Sequence, residues 1–299
     1  MSVLDELQVA TTAVAERVGP SVVGIGRGWG GSGVVLADGQ VLTNAHNLHG
    51  PEVTVGFGGT DEKPGRRATG QVTGVDVDGD LAVVSVDTAG APPVVWADGP
   101  PPLGTVVFAL ANPGGAGLRV TLGQVSATDQ AFRGPRGRRI RGSLEHSAPM
   151  AKGSSGGAVV DADGRLLGLN TNRLGQGFYL AIPADADLRA RVDRLARGES
   201  AERPHLGVAL APPRAARQLR QAVGLPERDG LLVRAVEDAS PAAEAGLRTG
   251  DLLVGAGGSP LASMDDLHDA IDAAGPSGSL TVQIVRGTDE SEVTVRLAG

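Results

Sequence analysis

Three short segments contain residue types that together can carry out nucleophilic catalysis. A histidine ends the segment Leu42–His46 (LTNAH), an aspartate lies inside Asp78–Val84 (DGDLAVV), and a serine is enclosed by glycines in Lys152–Val159 (KGSSGGAV). Serine is a poor nucleophile unless a base lies within hydrogen-bond reach, and a histidine base needs a carboxylate that fixes its tautomer. The three segments together therefore predict an acyl-transfer site.

Each segment also has a structural interpretation. A histidine at a strand end is commonly a surface or core residue, an aspartate in DGD commonly belongs to a turn, and GSSGG alone is commonly a loop. Their joint occurrence, in the order His, Asp, Ser, favours catalysis. Glycines beside the serine allow backbone N–H groups to point at a developing oxyanion, and the N–H groups of Gly153 and Ser155 are the predicted donors.

The pattern around these segments predicts many short strands. From Ser21 to about Pro183, β-branched runs alternate with turn signals such as Asp38-Gly39 and Asp163-Gly164, which is typical of an all-β barrel or sandwich. Examples of the predicted strands are Ser21–Ile25, Gly33–Leu36, Val41–Thr43, Glu52–Val55, Leu81–Val86, Thr105–Leu110, Gly157–Val160 and Leu166–Asn170. Helices are predicted over Ser2–Val18, which docks on the next domain, and over Ala184–Arg197.

A small polar segment predicts a domain boundary near residue 200. Gly198–Pro204 (GESAERP) reads as a linker, so we expect a helix at 1–18, a catalytic domain at 19–197 and a second domain at 205–299. In that second domain, strands are predicted over Gly230–Val236 and Leu280–Arg286. Helices are predicted over Pro241–Ala245 and Met264–Ala274.

Composition excludes several classes of protein. The 299 residues contain no cysteine, which excludes disulfides and cysteine-ligated metal, and the net charge of -7 disfavours a nucleic-acid binder. His46 and His49 lack the HExxH spacing, so neither a metal site nor a cofactor is predicted.

No apolar stretch is long enough to span a membrane, and Met1–Arg17 lacks a signal-peptide pattern. The sequence predicts a cytoplasmic protein if the chain is complete, and an extracytoplasmic one if an export signal was removed.

Longer motifs around the three segments resemble the HtrA (DegP-like) family of serine proteases. The strings GGSGVVLADGQVLTNAH, DGDLAVVSV, LANPGGAGLRVTLGQVSA, KGSSGGAVVDADGRLLGLNT and FYLAIP are similar to that family's catalytic segments. The resemblance implies a chymotrypsin-like pair of six-stranded β-barrels. It makes His46 the general base, Asp80 its orienting acid and Ser155 the nucleophile, with the N–H groups of Gly153 and Ser155 as the oxyanion hole. The chain departs from the family at Ser154, usually Asn, and at Asn47, usually Val.

The last domain resembles a PDZ domain of the HtrA type, an α+β fold. Its signature is the string SPAAEAGLRTGD, which begins at Ser240. The resemblance implies that a peptide C-terminus adds as a strand beside Leu206, Gly207 and Val208. Leu267 and Ile271 are either lining residues of the peptide side-chain pocket or plain core residues, and for Ile271 the two interpretations weigh equally.

The family also implies substrates, partners and assembly. We expect an ATP-independent endopeptidase that degrades unfolded or damaged proteins; the alternative is a proteolytically silent peptide-binding scaffold or chaperone. Because the expected pocket wall, with Met150, Asn170 and Thr171, contains no acidic residue, cleavage is predicted after small or medium apolar residues. A homotrimer is implied by the family, although no aromatic residue precedes Ser21. The arginines of Phe132–Gly142 favour a solvated or regulatory loop. A nucleic-acid-binding patch is the less favoured interpretation.

Overall fold

The computed structural model describes residues 2–28, 30–58, 65–135, 139–175, 177–200, 204–275 and 278–297. The chain divides into two compact units, Met1–Ala201 and Glu202–Gly299. Residues 201–203 of the predicted linker and residues 136–138 of the arginine segment lie outside the described residues. No helix within the described ranges is both long enough and apolar enough to cross a bilayer.

The first unit begins with a capped helix, α1 (Val3–Val18). The Ser2 hydroxyl accepts the N–H of Asp5, and the Asp5 carboxylate accepts the N–H of Ser2, which completes the predicted capping box. Val14 and Val18 are buried in the core of the unit. The predicted helix, docked on the following domain, is therefore confirmed.

Six antiparallel strands form the first barrel. They are β1 (Val22–Ile25), β2 (Ser32–Ala37), β3 (Gln40–Thr43), β4 (Glu52–Phe57), β5 (Arg66–Asp76) and β6 (Leu81–Ser85). The barrel closes in the order β1-β2-β3-β6-β5-β4. Its apolar side chains alternate along the strands and fill the interior, as the β-branched runs predict.

The next seven strands form one sheet, and six of them close into a second barrel. They are β7 (Val95–Trp96), β8 (Val106–Ala111), β9 (Arg119–Arg133), β10 (Arg139–His146), β11 (Ala158–Val160), β12 (Arg165–Leu174) and β13 (Phe178–Pro183). The order β11-β8-β9-β10-β13-β12 closes through pairing of β11 with β12, and β7 adds to β12 in parallel. Strands β5, β9 and β10 lack the uninterrupted β-branched runs used to predict strands, because they are half-exposed and carry Gly and charged residues.

A second helix, α2 (Ala186–Ala196), follows the barrels and is capped by the Asp185 side chain. It lies within the range predicted for it and buries Leu188, Val192 and Leu195. It packs against β5 and β6 of the first barrel, next to the turn that contains Asp80. The helix thus ties the C-terminal end of the unit to one edge of the expected site.

The second unit combines one sheet with three helices. Its elements are β14 (Val208–Ala211), α3 (Pro213–Ala222), β15 (Leu231–Val236), α4 (Pro241–Glu244), β16 (Leu252–Ala256), β17 (Ser259–Pro260), α5 (Met264–Ala274), β18 (Ser279–Arg286) and β19 (Asp289–Arg296). The strand order is β14-β15-β16-β18-β19, with β17 on β16. A double six-stranded barrel followed by a small α+β domain is the predicted fold class, which is confirmed.

Candidate active site

His46 and Asp80 form a close pair at one end of the first barrel. His46 lies in a single helical turn, Ala45–Asn47, directly after β3. Its Nδ1 is 2.9 Å from both carboxylate oxygens of Asp80, and its backbone N–H donates to Oδ1 at 3.1 Å. Asp80 is 1% exposed, so the carboxylate is shielded from water. Because Nδ1 is bound to Asp80, Nε2 is the ring nitrogen left for a substrate or nucleophile.

The turn that contains Asp80 is held in an unusual conformation. Asp80 has φ 55, a left-handed backbone that asparagine and aspartate tolerate better than most residues. The Asn44 side chain donates to the Asp80 carbonyl at 2.9 Å. Asp76 accepts the Gly79 N–H, and Arg191 of α2 donates to both Asp76 Oδ2 (2.8 Å) and the Gly79 carbonyl. Helix α2 therefore fixes the position of the acid through a buried ion pair.

Ser155 belongs to the second barrel and lies in the bend before β11. Its hydroxyl donates to the main-chain carbonyl of Thr171 at 2.9 Å, and the Thr171 hydroxyl donates to Asp80 Oδ2 at 2.6 Å. Thr171 thus contacts both the serine and the acid. Within the described residues, no hydrogen bond joins the Ser155 hydroxyl to His46. The hydroxyl must leave the Thr171 carbonyl before it can donate to the histidine.

The loop that carries Ser155 is fastened to the first barrel. The carbonyl of Ser155 accepts the N–H of Ser32 (2.8 Å) and the side-chain amide of Asn47 (3.0 Å), and the Ser32 hydroxyl donates to the Gly153 carbonyl (2.9 Å). Gly156 has φ +86, and a Cβ there would lie 2.0 Å from the Ser32 carbonyl oxygen. Only glycine fits this approach.

Two backbone N–H groups of this loop have no acceptor in the part of the chain that the structure describes. Among the described residues, the N–H groups of Gly153 and Ser155 make no hydrogen bond, whereas those of Ser154 and Gly156 donate to Ala151 and Asn170. Gly153 has φ 82, in the left-handed region that favours glycine. The two groups expected to form an oxyanion hole are therefore available to a ligand.

A cleft of about 490 Å³ joins these groups. His46, Asp80 and Ser155 line it, together with the expected pocket residues Met150, Asn170 and Thr171. The structure therefore brings together every protease-site residue singled out in the sequence.

A buried histidine, His146, supports the wall of this cleft. It is 0% exposed, its Nε2 is 2.9 Å from the Asn170 side-chain oxygen, and its ring stacks on Tyr179 at 5.8 Å. Burial lowers the pKa of His146, while the hydrogen bond to Asn170 opposes this effect. Asn170 and Tyr179 both line the cleft, so the buried His146 supports the cleft wall through its contacts with them.

The expected peptide site of the second unit is partly rearranged. The expected strand over Leu206–Val208 begins only at Val208, because Leu206 and Gly207 lie in the preceding loop. Their carbonyls accept the N–H groups of Ala242 and Glu237, both at 2.9 Å. Gly207 has φ +75, and a Cβ there would lie 2.3 Å from the Ser240 side chain. The backbone of this loop is thus held against the helix that starts at Pro241.

Leu267 and Ile271 lie in the hydrophobic core of the second unit. They are 2% and 4% exposed and pack in one cluster with Leu206. The structure agrees with their interpretation as core residues, and any role toward a peptide would be at the base of a groove.

Several residues that shape the site carried no signal in the sequence. Asp76 and Arg191 are 115 positions apart, and neither belongs to a motif. The sequence predicts Thr171 in the wall of the substrate pocket and gives no signal for its bond to Asp80. Asn47 stands out in the sequence only as a departure from the family pattern, and its contact with the Ser155 carbonyl is seen only in the structure.

The comparisons with known proteins cover both units. Residues 31–169 match the trypsin-like peptidase domain family, and residues 204–297 match the PDZ domain family. The putative serine protease HhoA of Synechocystis sp. is 32% identical over 90% of this chain and 70% of its own length. The serine endoprotease DegS of Escherichia coli is 27% identical, over 98% and 86%. A DegP-like periplasmic endoprotease of Halomonas elongata is 29% identical, and the chain spans only 55% of it.

Solved structures resemble the whole chain. The crystal structure of the serine endoprotease from Yersinia pestis has a TM-score of 0.62 and 26% identity, and covers 96% of this chain and 97% of its own. The HtrA-type protease AlgW with tripeptide has a TM-score of 0.57 and 27% identity, and covers 96% of each chain.

Proposed function

Because the chain belongs to the HtrA family of serine proteases, we propose that it hydrolyses peptide bonds with His46, Asp80 and Ser155 as its catalytic triad. The observation that carries the proposal is the 2.9 Å pairing of His46 Nδ1 with a buried carboxylate, in the same cleft as a glycine-enclosed serine. A histidine held in this way has one tautomer and one free nitrogen, which is what a general base for serine needs.

The reaction follows from the positions of these groups. The Ser155 hydroxyl turns from the Thr171 carbonyl to His46 Nε2, which accepts its proton as Oγ attacks the scissile carbonyl carbon. The negative charge on the carbonyl oxygen is stabilised by the N–H groups of Gly153 and Ser155. His46 then gives its proton to the departing amine, leaving an acyl-enzyme ester. In deacylation, a water molecule gives a proton to His46 and attacks the acyl-enzyme ester, which releases the carboxylic acid product and returns the proton to Ser155. Asp80 stabilises the imidazolium in both acylation and deacylation.

The pocket beside Ser155 supports a preference for small or medium apolar residues before the scissile bond. Met150, Asn170 and Thr171 line it, and none can pair with a lysine or arginine. An extended backbone is needed to reach the serine, so unfolded or damaged proteins are the proposed substrates and no ATP-driven unfolding is required. Sequencing of the cleavage products tests this preference, and a predominance of Lys or Arg before the cut would contradict it.

The second unit is proposed to bind peptide C-termini. Strand β14 ends the sheet, so its outer edge has no strand partner among the described residues, and an added strand would pair there. The N–H groups of Leu206 and Gly207 are the proposed carboxylate donors, because among the described residues only their carbonyls take part in the backbone hydrogen bonds of this loop. Binding here would deliver substrates or regulate the protease.

A homotrimer is proposed by analogy with the family, and light scattering measures the oligomeric state.

A silent peptide-binding scaffold is the second candidate. The observation that favours it is the Ser155 hydroxyl, which is bound to Thr171 and not to His46. A fluorophosphonate probe separates the two candidates, because it reacts only with an activated serine. We expect labelling of the wild type and casein hydrolysis, both abolished in Ser155→Ala. A wild type that stays unlabelled and inactive, with and without C-terminal peptides, would leave the scaffold as the function.

A further inference from the structure

We propose that the cleft selects substrates with aspartate or glutamate within three residues of the scissile bond. This inference rests on the proposed function and adds a substrate class to it. Among the described residues, the cleft is lined by three cationic side chains, Arg133, Lys152 and Arg173, and by a single carboxylate, Asp80. The argument depends on Lys152 and Arg173, which lie on the two segments nearest the nucleophile.

Asp80 does not offset these cations. It is 1% exposed, and its oxygens already accept from the His46 backbone, the His46 ring and the Thr171 hydroxyl. A carboxylate satisfied in this way exerts its field mainly on the histidine beside it. A bound peptide therefore meets exposed positive charge without exposed negative charge.

Lys152 and Arg173 are placed where a substrate must pass. Lys152 is exposed and adjoins Gly153, whose N–H is a proposed oxyanion donor. Arg173 is exposed and follows Thr171 by two residues; its guanidinium lies 5.5 Å from the centre of the Tyr179 ring. A guanidinium over an aromatic face is partly ordered by that contact, so its charge is kept at the cleft.

Neither cation has a carboxylate partner among the described residues. Other exposed arginines of the same unit do, since Arg165 pairs with Asp161 and Asp163, and Arg197 pairs with Glu199. Unpaired cations in a concave site attract anionic groups, and the attraction is stronger there than on a flat surface. The positive cleft also contrasts with the net charge of the chain, -7, which makes it a local feature.

The test measures kcat/KM on a matched set of fluorogenic peptides with a central Val–Ala bond. Each of the three positions before and after that bond carries Glu, Gln or Lys in turn. Exposed charge pairs change affinities by about two- to fivefold each. We therefore expect the best Glu peptide to exceed its Lys counterpart by about three- to tenfold at low salt, and the ratio to shrink toward one at 1 M NaCl.

Charge reversal of the two cations supplies the decisive comparison. In Lys152→Glu/Arg173→Glu the Glu-to-Lys ratio should fall below one, whereas in Arg194→Glu it should match the wild type. Arg194 is an exposed residue of α2 outside the cleft, so it controls for a charge reversal elsewhere on the surface; it lowers the net charge by two units, and the double variant lowers it by four. Thermal unfolding verifies that each variant is folded.

Three outcomes would overturn the inference. An enzyme that reacts with the fluorophosphonate and cuts the peptides without a Glu preference would refute this proposal and leave the protease function intact. The same holds if Arg194→Glu changes the Glu-to-Lys ratio as much as the double variant does. An enzyme that neither reacts nor cuts would refute both proposals. Peptide binding to Ser155→Ala, measured by fluorescence anisotropy, should show the same order, Glu above Gln above Lys.

Discussion

The contact between Thr171 and Asp80 provides the sharpest test of how the site works. In Thr171→Val the side chain keeps its shape and loses only the hydroxyl that donates to Asp80 Oδ2 at 2.6 Å. The Thr171 carbonyl that receives the Ser155 hydroxyl belongs to the backbone and remains. The substitution therefore removes one support of the acid and leaves the serine contact in place.

The expected loss follows from the type of bond removed. A hydrogen bond to a charged group contributes about 1.5–3 kcal/mol. If that contribution is made only in the transition state, where an imidazolium forms beside Asp80, its loss lowers kcat by about 10- to 150-fold, since about 1.4 kcal/mol corresponds to a factor of ten. KM should change little, because the hydroxyl faces the acid. Thr171 is a positioning residue in this scheme and acts through Asp80 and His46.

Steady-state kinetics on one peptide, with Thr171→Ser as the matched control, decide the matter. Serine restores a hydroxyl at the same position, so Thr171→Ser should keep activity within about threefold of the wild type. Thermal unfolding of both variants separates loss of positioning from loss of stability. Equal activity of the Val and Ser variants, both folded, would refute the reasoning, as would a loss confined to KM.

Three further predictions concern other contacts. Asn47→Val removes one of two bonds to the Ser155 carbonyl and should lower kcat/KM about two- to tenfold, measured against the same peptide. Burial holds the pKa of His146 below its usual value near 6.5, so the unfolded chain binds the proton first and stability is lost as pH falls below about 6.5. In urea unfolding below pH 6.5, the free energy of unfolding should fall with pH more steeply in the wild type than in His146→Gln. The difference should be up to about 1.4 kcal/mol per pH unit. Asp251→Ala removes a buried acceptor of Arg286 and should lower the free energy of unfolding of the second unit by about 1–3 kcal/mol in urea. Asp251→Asn keeps an oxygen acceptor and should lower it by less.

Local patterns were enough to predict most of the fold and to single out residues that the structure brings together in one cleft. The strands with β-branched runs and the helices with caps agree with the structure, because those signals act within a few residues. Helix α3 was missed, since its face toward the core carries Ala216 and Arg220 in place of an apolar stripe. The charged strand β5 was missed for a similar reason.

Contacts between distant segments could not be predicted in this way. The Asp76–Arg191 pair that fixes the Asp80 turn joins a strand to a helix, and each residue alone reads as a surface charge. The rotamer of Ser155, bound to the Thr171 carbonyl, likewise depends on how two barrels meet. Sequence spacing indicates which residue types are present, and only the folded backbone determines which of their atoms touch.

The fastening of the nucleophile loop to Ser32 has a consequence for the synthesis of the protein. The bond between the Ser32 hydroxyl and the Gly153 carbonyl spans 121 positions, and the bond from Thr171 to Asp80 spans 91. Contacts of such long sequence separation form late, after most of the chain is available. A nascent chain that has folded only its first barrel holds a histidine and an acid without a nucleophile. A ribosome-bound fragment that ends before Ser155 therefore lacks the serine and has no means of cutting itself or its neighbours.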